Sequence, residues 1–231
     1  MLICGLVLAT PGHTQQPDEE QLRAATTGSS EADPADPRTA EVERINQEIS
    51  ALEEAGQYED TVPLARKRLE LNTAIYGAKH PKTAASINDL GTLLFQAGDL
   101  EPGRKLVEQA LAIREEVLGP HHRDIAESLN NMGFALQELG ELAAAKPYYE
   151  RAFAIEEDVL GPKHPSTAAT IDNLGYLYYA MGDLTAARVY WERALAIREE
   201  VLGLNHPDTG TSVVNVGVVL YSMGDLAAAR P

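Results

Sequence analysis

A single cysteine, Cys4, stands in the whole chain, which excludes an internal disulfide framework and a multi-cysteine metal centre. Aromatic side chains are scarce, at 6% of the residues. A core must therefore be built mainly from aliphatic residues, and Ala and Leu supply most of them, a bias toward closely packed helices. Positive charge is short too: 19 Lys and Arg stand against 35 Asp and Glu, for a formal net charge of -16. A field of that sign repels phosphate backbones and anionic lipid, so nucleic acid and membrane surfaces are not expected as partners. It favours a protein or peptide of basic or neutral character. No Gly-rich loop precedes a Lys-Ser or Lys-Thr pair, so nucleotide binding has no support and no cofactor is expected.

Long apolar runs are also lacking. The first nine residues, MLICGLVLA, are too few to span a bilayer. They resemble the apolar stretch of a secretory signal without its basic lead. Two readings stay open: a signal missing its first residues, in a secreted or periplasmic protein, or a disordered tail with an apolar end. Residues 10–37 are polar and rich in Gln, Ser, Thr, Asp, Glu and Pro. They read as a disordered linker, because they offer too little apolar surface to offset the entropy of ordering. Residues 1–37 thus form one region and residues 38–231 another.

The second region repeats. Gly77, Gly119, Gly161 and Gly203 recur every 42 residues, as do His80, His122, His164 and His206, and Gly91, Gly133, Gly175 and Gly217. A further series, Gly56, Gly98, Gly140, Gly182 and Gly224, carries the period back into a degenerate opening unit. A fixed period of this size means stacked supersecondary units, about five here.

Each unit reads as two helices. In the fourth, Pro165 suits a first helical turn, and Ile171, Leu174, Gly175 and Tyr178 form one apolar stripe. Gly182 is placed to stop that helix and Asp183 to cap the next, which carries Ala187, Trp191, Ala194, Leu195 and Val201. The stripe recurs as Ile87, Leu90, Gly91, Leu94, as Leu129, Met132, Gly133, Leu136, and as Val213, Val216, Gly217, Leu220. A glycine inside a helix costs about 1 kcal/mol relative to Ala. Its recurrence requires a neighbouring helix too close for a Cβ. The fold class is all-α, a right-handed superhelical solenoid of antiparallel helix pairs.

The pattern Leu174-Gly175, Tyr178, Gly182, Ala187, Trp191, Ala194 resembles the tetratricopeptide repeat. Met132-Gly133, Leu136, Gly140, Ala145, Tyr149, Ala152 repeats it, and Gly103, Val107, Ala110 form a weaker version. The period exceeds the family's usual length of about 34 residues. The extra length falls in a longer second helix and in the segment Ile197 to Pro207, a variant resembling the kinesin light chain type. The resemblance implies a protein–protein interaction scaffold rather than an enzyme. The opening unit, Leu52 to Ala65, also resembles the first repeat of bacterial proteins in which a caspase-like CHAT domain follows such an array. The alternative function is therefore the sensor arm of a larger effector enzyme.

Four periodic histidines invite a metal reading, but equivalent positions in stacked units lie too far apart to share one ion. A turn and helix cap suits His-Pro better, and His121 beside His122 changes nothing. Arg114-Glu115-Glu116 and Arg198-Glu199-Glu200 read as a solvated helix face with local ion pairs. Trp191 and Tyr149 are core by position.

The candidate site is the other face of each first helix, a groove for a partner: Asn88, Asn130, Asn131, Phe134, Asp172, Asn173, Tyr176 and Asn215. Its equivalents include Asp89, Thr92 and Val218, with Tyr179 and Tyr221 also placed to pack ligand side chains. A carboxamide both donates and accepts, so it can pair with a ligand's backbone whatever the side chain. Bonding between neighbouring repeats is the competing reason for these residues. No Lys or Arg is expected on this face, which disfavours a carboxylate clamp. Near Pro231 the second helix of the last unit stops short, leaving Val216 and Leu220 without their usual cover. That predicts a truncated unit and self-association through it.

Overall fold

The computed structural model describes residues 36–225. The apolar start with Cys4, the linker up to residue 35 and the shortened last helix lie outside them, while Asp36 and Pro37, assigned to the linker, cap and open the first helix. Among the described residues there are α-helices and no strands. Unit one is α1 (Pro37–Glu54) and α2 (Tyr58–Tyr76), and unit two is α3 (Pro81–Gln96) and α4 (Leu100–Leu118). Unit three is α5 (Arg123–Glu138) and α6 (Leu142–Val159), and unit four is α7 (Pro165–Ala180) and α8 (Leu184–Val201). α9 (Pro207–Ser222) opens unit five. Each helix packs on the next in sequence, the connectivity of a solenoid.

The periodic residues act as boundaries. His80, His122, His164 and His206 are N-caps, each accepting through Nδ1 from the backbone N–H two residues on, at 3.1, 3.1, 3.1 and 3.2 Å. That is a cap's work: it satisfies an amide the helix leaves unpaired. At the other end of α7, Gly182 adopts φ 82°. There Asp183 N–H reaches back to Tyr178 O at 2.9 Å, closing the turn. Asp183 then caps α8 by accepting from Ala186 N–H at 3.0 Å.

The glycines inside the first helices do hold close approaches. A Cβ on Gly133 would lie 2.7 Å from Tyr149 Cε1, and one on Gly91 would lie 2.6 Å from Val107 Cγ2. Gly175 is covered likewise by the Trp191 ring. The unit with the smallest second-helix residue, Val107, compensates with Phe95 against Gly103. Val107, Tyr149 and Trp191 are each at most 1% exposed. Trp191 also satisfies its indole N–H, which donates to Asp172 O at 3.2 Å.

The apolar stripes are core in units two to four, where Ile87, Leu129 and Ile171 are buried. Three expectations need correction: Leu220, expected to lack its usual cover, is buried at 6% exposed, close to its equivalent Leu136. Val213, the equivalent of Ile171 in α9, is 44% exposed, and Val201 at the end of α8 is 45% exposed. Val201 lies in the last turn of its helix, past the reach of its neighbours. No helix of the described residues is long and apolar enough to cross a membrane.

Candidate functional site

First helices of successive units, α3 with α5 and α5 with α7, touch one another as well as their sequence neighbours. Stacking is therefore tighter on that side, and the first helices line the inner face of the array. The candidate residues lie along it, and burial divides them in two. Asn88, Asn131, Asp172 and Asn215 are buried, whereas Asn130, Phe134, Asn173 and Tyr176 are partly exposed.

The buried ones bond across unit junctions. A second-helix residue meets a hydroxyl on the next first helix: Asn72 with Ser86, Arg114 with Ser128, Glu156 with Thr170, and Arg198 with Ser212. The amide or carboxylate at the Asn88 position completes the last three groups. Ser128 Oγ donates to Asn88 Oδ1 at 3.1 Å, Asn130 Nδ2 to Thr170 Oγ1 at 2.6 Å, and Arg198 to Asp172 Oδ2. Asn131 Nδ2 also donates to Asn88 Oδ1 at 3.3 Å, and the Tyr176 hydroxyl donates to Asn215 Oδ1 at 2.7 Å. Buried polar groups keep their place only when satisfied in this way.

This overturns the reading of the Arg-Glu-Glu segments for their arginines, while Glu115, Glu116 and Glu200 are exposed and ion-paired as expected. Arg114 and Arg198 are each 2% exposed, so they are not on a solvated face. Arg114 donates to Asp124 O at 2.7 Å and pairs with Glu127 at 3.3 Å. The glutamates that follow reach adjacent units: Glu115 pairs with Arg151, Glu116 with Lys79 and Glu200 with Lys163. His121 Nδ1 lies 3.1 Å from Asp158 Oδ2 of the next unit. Cations also reach the inner face from second helices, contrary to the expectation of none. Arg68 joins Asp89 at 2.9 Å and Asn46 at 3.1 Å. Sequence reasoning missed the burial of Arg114 and Arg198. The signal was a polar residue recurring with the 42-residue period at 72, 114, 156 and 198.

What remains open on the inner face is a row of carboxylates, amides and aromatics. Asp89 and Glu127 have side chains 41% and 51% exposed, yet protein atoms crowd them closely, as on a concave floor. Desolvation raises both carboxyl pKa values, against the pull of Arg68 on Asp89 and of Arg114 on Glu127. Phe134 lies 5.7 Å from Phe95, and Tyr176 stands edge-on to Trp191 at 5.0 Å. Tyr179 leans on the same indole at 5.4 Å. Tyr221 is 69% exposed. Among the described residues no cluster of His, Cys, Asp and Glu is arranged to hold a metal ion.

A family model described as tetratricopeptide repeat matches residues 44–116, 88–157, 124–188 and 169–231. The chain belongs to the tetratricopeptide repeat family. Its structural neighbours are kinesin light chain-like members. A Podosopora anserina putative kinesin light chain with nearly identical TPR-like repeats is 23% identical, over 82% of this chain and 90% of that one, with a TM-score of 0.68. BtubC (BKLC) from P. vanneervenii is 26% identical, over 91% of this chain and 82% of that one, with a TM-score of 0.73. A Rap protein complexed with Competence and Sporulation Factor is 15% identical, over 79% of this chain and 49% of that one, with a TM-score of 0.68. No curated protein matches the chain. Tetratricopeptide arrays serve as scaffolds for protein partners and are generally not enzymes.

Proposed function

We propose that this tetratricopeptide array holds an extended peptide or partner segment, basic or neutral in character, along its inner face. The observation that carries the reading is the partly exposed row of Asp89, Glu127, Phe134, Asn173 and Tyr176 on adjoining first helices. Amides meet the ligand's backbone, the rings take its side chains, and the carboxylates favour Lys or Arg. Asn88, Asn131, Asp172 and Asn215 keep the row rigid, so little ordering entropy is lost on binding. The net charge of -16 supports the choice of a basic partner and speeds encounter with it. A Rap protein of the same fold was solved in complex with Competence and Sporulation Factor, one use of such a fold that this reading resembles. The alternative, a sensor arm of a larger enzyme, rests on the opening unit alone.

Selection from a random-peptide display library tests the reading. Lys- and Arg-rich peptides are expected to be enriched. Their retention should fall with Asp89→Asn and Glu127→Gln and persist with Glu108→Gln on α4, where Glu108 is exposed. Enrichment of acidic peptides, or equal loss with Glu108→Gln, would overturn it.

A further inference from the structure

The junction series contains one inversion of sign. Arg114 and Arg198 each bring a buried cation to a hydroxyl and a carboxylate, Glu127 or Asp172. Between them, where α6 of unit three meets α7 of unit four, the equivalent residue is Glu156. It is 6% exposed. Its bonds come from the Thr170 hydroxyl and, at 3.4 Å, from Asn130 Nδ2. Among the described residues no Lys or Arg forms an ion pair with it, and Ala169 stands where the preceding junction has Glu127. Asn130 Oδ1 in the same cluster is buried without a hydrogen-bond partner. The cluster thus carries one buried charge with no cation paired to it, which a proton on Glu156 removes.

The charged surroundings are sparse. Arg123 at the start of α5 acts on Glu156 from a distance. His164, ahead of α7, is held below its ordinary pKa by burial and then by Arg123. On α6 itself, Glu157 is turned out toward Arg193 and Asp158 toward His121.

We infer that the α6–α7 junction is a proton-controlled joint, closed when Glu156 is protonated and loosened when it is ionised. Burial pushes the Glu156 carboxyl up to about 7, against the Thr170 bond and Arg123. The folded junction therefore holds a proton that an opened one, with an ordinary glutamate near 4.5, releases. Stability of the joint falls as pH rises from about 4.5 to about 7 and is level above that. The flanking junctions differ in having a buried cation: Arg114 pairs with Glu127 and Arg198 with Asp172. A solenoid with one such joint changes its curvature there first, because each unit contacts only its neighbours.

The test is carbon-detected titration of the Glu156 carboxyl in the full chain, with amide hydrogen exchange of α6 and α7 for the unmodified chain and Glu156→Gln. The expected titration midpoint is near 7. The opening constant of the junction, as a ratio to that of Glu156→Gln, should rise at least about tenfold between about pH 5 and about pH 8. A midpoint near 4.5, or a ratio unchanged with pH, would overturn the inference. If Glu156→Gln fails to fold, the carboxyl titration in the unmodified chain still decides.

Discussion

Trp191 does at residue scale what the whole array repeats: a bulky second-helix side chain seats on a bare backbone. Its ring covers Gly175 and its N–H is bonded to Asp172 O. Truncating it leaves a cavity and frees a helix carbonyl at once. Trp191→Ala is expected to cost about 3–5 kcal/mol, seen as a lowered melting temperature. An unchanged one would contradict the packing of α7 on α8. Both the ring and its glycine were legible in the sequence, because a recurrent helix-weakening glycine opposite a recurrent bulky residue has one physical meaning. Arg198 was not legible. An arginine inside Arg-Glu-Glu looks solvated until its partners are known, and Asp172 and Ser212 come from two other helices.

At the scale of elements, the junctions carry the specificity. Apolar packing alone would let similar units stack in any order. The buried position that runs Asn72, Arg114, Glu156, Arg198 makes each junction differ from the next. Arg198→Ala would leave Asp172, 1% exposed, charged and uncompensated in the interior. The expected loss is about 3–5 kcal/mol, concentrated where α9 docks on α8. Hydrogen exchange should show α9 losing protection while α3 and α5 keep theirs, whereas uniform loss would contradict independent junctions. Helix order, caps and turns were legible because each is local to a few residues. The division of the candidate face was not. Asn131 and Asn173 hold the same place in successive units, yet one is buried and spent on Asn88 while the other stays partly exposed.

At the scale of the molecule, the stacked first helices form one inner face, and the second helices carry exposed ion pairs between units. Those outer pairs, such as Lys79–Glu116 and Arg193–Glu157, are solvated and contribute little each. The inner face is different in kind: crowded, partly exposed and rigidly backed. The most direct measurement of its role is amide NMR mapping of a selected Lys-rich peptide titrated into the full chain. Perturbed signals are expected along α3, α5 and α7, at Asp89, Glu127, Phe134, Asn173 and Tyr176. Perturbations confined to α4, α6 and α8, or scattered wherever acidic side chains are exposed, would contradict binding on the inner face.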